Sequence, residues 1–453
     1  MKHLISRILW RGAWRVTAWS HWFSQSLTPM GKRVAAGAFL AAIFGINTEL
    51  SMVYQVFSLL LSLFFLSVIA AFFTRVTLEG YRTLPAQVMV NKPFEYELRL
   101  RNPSGVLHKD VVIFETFPDP RPSLEQFMQA RQEPEERRRN AYDRWVGYYR
   151  FVRLTEKNRG IRVAMISLEP LDPHGETRLR LRATATRRGG IHFSGLLVGR
   201  ADPFGLFRRF TRCHLPGMVL AVPEVHPLPQ RFRIPGGRKH LPGGITMAVH
   251  VGEQDEFFAL RDYRTGDSPR AMYWPGLAKT GKPVVVERQE EFFTRHALVL
   301  DTLNHVPEAV FEDAVSLAAS LAVGHDPLDA LLDFMFVGLK SWQFTSGRGF
   351  GGSQRILEIL AHTQPHGDQP FSRLANLVLS QAKRFSSIIL VLIHWDRDRE
   401  SLIHSLRAMG LPMRVFLIQD DQASPAAVAP PHKTWPGFHV LRSGTMGHGL
   451  QWS

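Results

Sequence analysis

The sequence predicts a multidomain protein in which an amino-terminal transmembrane helical hairpin precedes a β-sandwich-like domain and a carboxyl-terminal α/β domain. Three observations predict it. Residues 50–73 are apolar and uncharged, residues 94–101 alternate apolar and charged side chains, and buried strands alternate with amphipathic helices after residue 296. A chain of 453 residues with 45% hydrophobic content can fill several cores. Its single cysteine, Cys213, excludes an internal disulfide and favours a reduced compartment.

Residues 1–29 are predicted to form a cationic interfacial helix. No acidic residue precedes Glu49, and Arg7, Arg11 and Arg15 share one helical face. The opposite face is apolar and aromatic, as in helices that lie in a membrane surface; it carries Ile5, Leu9, Ala13, Val16, Trp19 and Phe23. A mitochondrial-type presequence has a similar composition and is the alternative, but the two apolar segments that follow argue against it.

Residues 30–74 are predicted to form a transmembrane hairpin. The second apolar run crosses a hydrocarbon core of roughly 30 Å by itself, whereas the first does so only if its helix extends from about Met30 to Thr48. Basic residues precede the first helix and follow the second, at Arg75 and Arg82. The positive-inside rule therefore places both ends, and all later domains, in the cytoplasm. One spanning helix with a buried or re-entrant neighbour is the alternative, and it would place those domains outside.

Residues 75–225 are predicted to form the β-sandwich-like domain. The period of two in residues 94–101 recurs around Leu179 to Ala183, and short strands are separated by turn signals. A charged helical insertion is expected at residues 121–159, where arginines and glutamates mix with aromatic residues. Arginines interleaved with aromatics can bind single-stranded nucleic acid, but the neighbouring glutamates would repel phosphates. We therefore expect a solvated insertion and no nucleic-acid partner, although the net charge of +15 is large.

Residues 226–295 are predicted to contain a linker and a charged signature segment. The pattern predicts a strand near Phe257, a charged loop, a short helix and a second strand from Pro283. The helix is predicted to begin after Ser268 and Pro269 and to end at Pro275 and Gly276. Its charged residues suit either a docking face or an internal ion network. The candidate interaction residues are Arg261, Asp262, Tyr263, Arg264, Gly266, Asp267, Arg270 and Trp274.

This signature resembles that of the bacterial domain of unknown function 58 family, and the upstream run Asp202 to Phe207 agrees with it. The resemblance implies a protein of the bacterial cytoplasmic (inner) membrane. It also implies partnership with a MoxR-type AAA+ ATPase and often with a transglutaminase-like membrane protein, in an envelope-associated or protein-maturation system. Pro275 to Leu277 depart from the family pattern, which usually has a more helical, basic segment there.

No motif for catalysis is found in the sequence. Gly276 to Lys282 matches a phosphate-binding G-x-x-x-x-G-K, but Pro283 replaces the Ser or Thr that would hold magnesium, and a strand follows where a helix is needed. No G-x-S-x-G, H-E-x-x-H or zinc spacing occurs. We therefore expect that the protein is not an enzyme and binds no cofactor. An acid/base enzyme that uses Asp262, Asp267 and Glu287 is an alternative.

Residues 296–423 are predicted to form an α/β domain, followed by a Pro/Gly-rich tail at residues 424–453. The family resemblance implies that this domain is von Willebrand factor A-like. Such domains bind Mg²⁺ through D-x-S-x-S, but the matching positions here are Asp301, Leu303 and His305, which leave one oxygen ligand. The metal site is thus expected to be degenerate. Magnesium binding through Asp301 and Asp396 remains the alternative to a non-enzymatic scaffold.

Overall fold

The computed structural model describes residues 2–44, 51–132, 136, 139–228, 257–265, 272–288, 294–324, 330–338, 341–346, 352–420, 435 and 437–444. Internal contacts divide the chain into two compact units, residues 1–224 with 357–362 and residues 225–356 with 363–453. The protein is therefore multidomain. The signature segment, predicted as a separate region, falls in the same unit as the α/β domain.

Three helices begin the first unit: α1 (Lys2–Ser26), α2 (Pro29–Phe44) and α3 (Ser51–Ala71). Residues 52–71 of α3 are long and apolar enough to cross a membrane, and α3 is the one helix of the described chain with this property. The 16 described residues of α2 extend for about 24 Å at the usual rise per residue. Helices α2 and α3 pack against each other. The interruption predicted at Asn47 to Glu49 lies outside the described residues.

Two sheets with a shared core form the sandwich of the first unit. One has the order β1-β3-β7-β5 and the other β2-β9-β8-β4-β6. Alternation predicted two of these strands correctly, since β3 and β7 bury every second residue. The pairing is antiparallel except between β2 and β9. The strands are β1 (Glu79–Thr83), β2 (Gln87–Met89), β3 (Pro93–Arg101), β4 (Val111–Thr116), β5 (Ile161–Val163), β6 (Ile166–Ser167), β7 (Glu176–Ala185), β8 (Gly189–Ala201) and β9 (Arg208–Val222).

Both sheets contribute to one hydrophobic cluster. Leu98 of β3 and Leu181 of β7 meet Ile113 of β4 and Leu196 of β8 there, and all are nearly or fully inaccessible to solvent. The ring of Tyr96 lies 5.8 Å from that of Phe193 across the two sheets. Face-to-face burial of the inward residues is what stabilises a sandwich of this kind.

The predicted insertion is helical and packs on α1. It contains α4 (Leu124–Gln129), α5 (Ala141–Val146) and α6 (Tyr148–Arg159). Ala13 of α1 joins Phe127 and Phe151 in a small cluster. The indole nitrogen of Trp10 donates to the carbonyl of Pro122 at 3.0 Å.

Helix α1 therefore has a buried face that the sequence did not reveal. Ala13, which the sequence places on the apolar face of α1, is buried in the apolar cluster that the insertion supplies. The large apolar side chains that the described part of α1 leaves exposed are Ile8, Trp14, Val16, Trp19, Trp22 and Phe23.

A six-stranded sheet with the order β14-β13-β12-β15-β16-β17 dominates the second unit. All neighbours pair in parallel except the antiparallel edge strand β14. The elements from residue 294 onward are β12 (Thr294–Leu300), α8 (Glu308–Val323), β13 (Ala330–Val337), β14 (Ser341–Ser346), α9 (Ser353–His362), α10 (Ser372–Gln381), β15 (Ser387–Leu392), α11 (Arg397–Ala408), β16 (Met413–Gln419) and β17 (Phe438–Arg442). Residues 357–362 of α9 are assigned to the first unit.

Helices cover both faces of the sheet, which explains why its strands are continuous hydrophobic runs. Helices α10 and α11 share a core with alternate residues of the parallel strands, whereas α8 contacts β12, β15 and β16. The predicted helix at residues 308–323 and the buried strands are confirmed. The sequence missed β14, α9 and β17. Because β17 pairs with β16, the predicted boundary at residue 423 ends the domain too early.

Candidate functional site

Asp301 lies at the carboxyl edge of the parallel sheet, directly after β12. Its side chain is fully inaccessible to solvent, and its backbone N–H donates to the carbonyl of Val391 at 2.8 Å. One carboxylate oxygen accepts a hydrogen bond from the backbone N–H of Leu303 at 3.0 Å. Asp396 follows the adjacent strand β15 and caps α11. Since parallel neighbours end at the same edge, the two carboxylates that the sequence singled out come close together.

The guanidinium of Arg399 lies between these two carboxylates. Its Nε donates to Asp301 at 2.7 Å, one terminal nitrogen donates to Asp396, and the other donates to the carbonyl of Leu303 at 3.0 Å. The ring centroid of Phe371 is 4.4 Å from the guanidinium carbon. Burial alone would lower the pKa of Arg399, but the charges of Asp301 and Asp396 outweigh it, and the pKa is raised. The cluster thus contains its own permanent cation, which sequence reasoning missed.

The residues present do not fit a magnesium site. Leu303 is buried and supplies no side-chain oxygen, and the hydroxyl of Thr302 donates to the carbonyl of Val337. His305 is exposed, with its Nε2 3.4 Å from a carboxylate oxygen of Asp368. Mg²⁺ requires oxygen ligands in near-octahedral geometry, and here a guanidinium already pairs with both carboxylates. Within the described residues, no three His, Cys, Asp or Glu side chains cluster as metal ligands.

The signature segment forms a small hairpin. Strand β10 (Phe257–Asp262) pairs antiparallel with β11 (Val284–Arg288), and α7 (Trp274–Thr280) lies between them in sequence. Arg261, Asp262, Tyr263, Arg264 and Trp274 are described, and Gly266, Asp267 and Arg270 lie outside the described residues.

Several apolar and aromatic side chains of this hairpin are exposed. Trp274 is 61% exposed, and Leu260 and Tyr263 are 43% and 37% exposed. Asp262 is exposed at the end of β10. Arg261 donates from a terminal nitrogen to the carbonyl of Asp262 at 3.2 Å. A tryptophan that a core would normally bury is therefore presented to solvent beside charged groups.

The helix in the hairpin corrects one prediction. Pro275 and Gly276 were expected to end a helix, but Pro275 lies in the first turn of α7, where its missing N–H costs nothing. Gly281 ends the helix with a φ of 70°. The glycines of the apparent phosphate-binding motif thus lie inside and at the end of a helix, and β11 follows. The strand predicted to follow that motif is confirmed.

A conspicuous ion cluster of the first unit lies between the two sheets. Arg82 of β1 pairs with Glu115 of β4, with both side chains 1% exposed, and donates to the carbonyl of Leu215 at 2.5 Å. The hydroxyl of Tyr96 donates to Glu115 at 2.8 Å. Burial and the Glu115 carboxylate raise the pKa of Tyr96. Arg82 was interpreted only as a membrane-flanking charge, because sequence patterns do not show which strands face each other.

The Asp202 to Phe207 run forms a tight turn that holds the junction of α1 and α2. The carboxylate of Asp202 accepts hydrogen bonds from the N–H groups of Phe204, Leu206 and Phe207 at 2.7–2.9 Å. The backbone N–H of Thr28 donates to the carbonyl of Leu206 at 3.1 Å. A Cβ on Gly31 would lie 2.0 Å from that carbonyl oxygen, so this position requires glycine.

No protein-family model and no curated protein matches the chain. The resemblance to the domain of unknown function 58 family therefore stays a prediction. Among solved structures, a red sea bream transglutaminase is 13% identical with a TM-score of 0.17, covering 32% of this chain and 14% of that one. A PapD-like domain of human CEP192 is 14% identical with a TM-score of 0.17, covering 32% and 85% respectively. A Vibrio harveyi exo β-N-acetylglucosaminidase is 8% identical with a TM-score of 0.16, covering 76% and 57%. Likenesses this weak assign no function.

Proposed function

We propose that the protein is a non-enzymatic, membrane-anchored scaffold that presents a docking surface to a partner protein. The observation that carries this proposal is the exposure of Trp274, Tyr263 and Leu260 on the signature hairpin. Aromatic side chains beside arginines are typical of residues that dominate binding at protein interfaces. We define these three residues, with Arg261, Asp262 and Arg264, as the signature face.

The anchor is proposed to be the hairpin of α2 and α3, with both soluble units in the cytoplasm. Two contacts support this arrangement. Thr28, just before α2, hydrogen-bonds Leu206, and the carbonyl of Phe72, just after α3, accepts a hydrogen bond from Arg209. The start of α2 and the end of α3 thus meet the same short stretch of the sandwich, as expected if both helix ends leave the membrane on one side. The surrounding basic residues favour the cytoplasmic side.

The partner is proposed to be a MoxR-type AAA+ ATPase, with a transglutaminase-like membrane protein as a further member of the assembly in a bacterial inner membrane. This part of the proposal rests on the family resemblance. The strand order of the six-stranded sheet, with an antiparallel edge strand on an otherwise parallel sheet, supports a von Willebrand factor A-like domain. The Asp301–Arg399–Asp396 cluster supports an A-like domain that works without a metal.

Substitution of one exposed tryptophan tests the docking surface. Full-length protein carrying Trp274→Ala is purified in mild detergent, and the recovery of the AAA+ ATPase is compared with wild type. Trp342→Ala is the matched control, because Trp342 is 54% exposed and lies in the same unit but outside the signature face. We expect Trp274→Ala alone to lose the ATPase, by about tenfold or more if this residue is an interface anchor. Equal recovery from both variants would remove the signature face from the proposal.

Truncation of a charged residue of the signature face, Arg264→Ala, separates docking from the internal ion network that the sequence left open. A docking residue can be truncated without loss of stability, whereas a member of an internal network cannot. Arg264→Ala is therefore expected to unfold at the wild-type temperature and to lose the ATPase. A lower unfolding temperature for this variant, together with retained ATPase, would favour the network.

Metal binding and acid/base catalysis each have a direct test. Titration of the full-length protein with Mg²⁺ and Mn²⁺ is expected to give no heat and no shift in unfolding temperature. Saturable heat that Asp301→Asn abolishes would support a metal-dependent binder. For the acid/base enzyme that would use Asp262, Asp267 and Glu287, the discriminating result is a measurable activity that a folded Asp267→Asn variant loses.

A further inference from the structure

A cavity of about 910 Å³ lies inside the first unit, between α1 and the end of the sandwich. Its lining includes Thr17, Trp22 and Gln25 of α1 and a stretch at the start of β9. A concave volume of this size suits a small molecule and is too small for a folded partner.

The cavity lining is strongly basic. It contains five arginines, Arg121, Arg159, Arg208, Arg209 and Arg212, against two carboxylates, Glu115 and Asp119. Both carboxylates are already engaged, because Glu115 binds Arg82 and Tyr96, and Asp119 binds Arg121. Neither is therefore available to neutralise the remaining cations.

Four of the lining arginines have no carboxylate partner within salt-bridge distance in the described part of the chain: Arg159, Arg208, Arg209 and Arg212. Of these, Arg209 donates to the carbonyl of Phe72. The Nε of Arg208 is buried and makes no hydrogen bond among the described groups. Burial lowers the pKa of Arg208, and Asp110 opposes this effect only partly. A buried donor of a charged group without a partner is unfavourable, and an anion in the cavity, beside the accessible part of the Arg208 guanidinium, would offset part of that cost.

Part of the remaining lining is apolar and aromatic, with Phe114, Phe207, Phe210 and Met165 beside the arginines. The rings of Phe114 and Phe210 contact each other, with centroids 5.7 Å apart. An inorganic anion would use the arginines and leave this surface unused. The lining therefore fits an amphipathic ligand with an anionic head and an apolar tail.

The cavity lies next to the ends of the apolar helices. Arg209, in its lining, donates to the carbonyl of Phe72 just after α3. Trp22, also in the lining, lies 5.9 Å from Phe207 between ring centroids and is 54% exposed. Trp19 and Phe23 of the same helix are exposed as well. Tryptophans on a basic helix are typical of the headgroup level of a membrane.

We propose that this cavity binds one anionic phospholipid, with its phosphate on Arg159, Arg208 and Arg212 and the start of its acyl chains along Phe114 and Phe207. Guanidinium groups bind phosphate oxygens with charge-assisted, often bidentate, hydrogen bonds. The inference rests on the proposed membrane anchor. It adds that the anchor has a headgroup preference fixed by named side chains.

The test is lipid binding by full-length protein in a neutral detergent, followed by native mass spectrometry. The protein is titrated with dioctanoyl phosphatidylglycerol, dioctanoyl phosphatidylcholine and glycerol 3-phosphate. We expect one phosphatidylglycerol to bind at least about tenfold more tightly than either other probe. In the double variant Arg159→Gln/Arg212→Gln, that affinity is expected to fall about tenfold or more, since two charge-assisted hydrogen bonds are lost.

The matched control is Arg178→Gln/Arg180→Gln, which removes the same charge from exposed positions of β7 outside the cavity lining. It is expected to bind phosphatidylglycerol like wild type. Equal binding by the cavity variant and wild type would overturn the proposal. Glycerol 3-phosphate binding as tight as that of the lipid would reassign the cavity to a soluble phosphate.

Alkaline carbonate extraction separates this inference from the anchor itself. Wild type and the cavity variant are both expected to stay in the membrane pellet, because α3 anchors them. Release of wild type into the supernatant would refute the membrane anchor and, with it, the lipid assignment. Retention of both proteins in the pellet, together with unchanged lipid binding by the variant, would refute the proposed lipid site and leave the membrane anchor in place.

Discussion

Arg399 of the second unit and Arg208 of the first unit are in opposite situations. In the second unit, Arg399 is 2% exposed and has two carboxylates, a carbonyl and an aromatic ring around it. In the first unit, Arg208 has a buried Nε with no partner in the described chain, beside a cavity. Loss of one partner from a buried ion pair destabilises the fold, whereas an arginine without a carboxylate partner can pair with an anionic ligand, as proposed for Arg208. The difference separates a structural arginine from a binding one.

The largest effect is expected from Arg399→Met. This variant leaves Asp301 fully buried without its cation, and breaking a buried pair on one side costs about 3–5 kcal/mol. Hydrogen exchange of the β12 and α11 amides measures the local opening free energy without assuming two-state unfolding.

Arg397→Met is the control for that variant, because Arg397 is exposed two residues earlier in the same helix. It is expected to change the opening free energy by no more than about 0.5 kcal/mol. A similar loss in both variants would show that Arg399 acts through helix α11 and not through its carboxylates.

Gly31→Ala is expected to have the next largest effect, because it disturbs the junction that positions α1 over the cavity. The new methyl would overlap the Leu206 carbonyl, and overpacking of this kind costs about 1–3 kcal/mol. The unfolding temperature of full-length protein in detergent measures it.

Gly12→Ala gives the comparison for Gly31→Ala, since no atom lies within 4 Å of a Cβ there. Alanine favours helix over glycine by up to about 1 kcal/mol, so this variant is expected to equal or exceed wild type. If Gly31→Ala unfolded at the same temperature as Gly12→Ala, the junction of α1 and α2 would be able to move. In that case α1 would not form a fixed wall of the cavity.

A smaller, pH-dependent effect on stability is expected at His108, because its charged neighbour is Arg200 and not a carboxylate. Burial and then Arg200 lower the pKa of His108 from 6.5, and its ring also contacts the hydroxyl of Ser104 at 3.1 Å. Above about pH 6.5, the imidazole of His108 is neutral in both the folded and the unfolded state. Below it, the unfolded state takes up a proton first, so stability falls as the pH drops.

His108→Gln is therefore expected to flatten the decline in stability on acidification, measured as the unfolding temperature between about pH 5 and pH 7. His192→Gln is a suitable control, because His192 is exposed on β8 of the same sandwich. A decline that persists unchanged in His108→Gln would assign the acid sensitivity to other groups.

The smallest effect on stability is expected from Arg159→Gln/Arg212→Gln. Both side chains are exposed and lack salt-bridge partners among the described residues, so the unfolding free energy should change by no more than about 0.5 kcal/mol. Thermal unfolding at neutral pH, without added lipid, measures this. A clear loss of stability would place these arginines with Arg399, as structural residues.

The sequence by itself determined the elements whose periodicity reflects burial. Alternation predicted β3 and β7, continuous apolar runs predicted β12, β15 and β16, and helical spacing predicted α8. It also indicated that Asp301 and Asp396 follow strands of one sheet. These features depend on local patterning, because a side chain's face is fixed by its position along a helix or strand.

Only the tertiary structure decided which groups meet. Arg399 reaches Asp301 across 98 positions of sequence, and Arg82 reaches Glu115 across 33. The edge strand β17 has no strong pattern of its own and is defined by its pairing with β16. The cavity is lined by residues of α1, the insertion and the sandwich, which are far apart in sequence. Long-range contacts of this kind depend on chain topology, which local residue patterns do not encode.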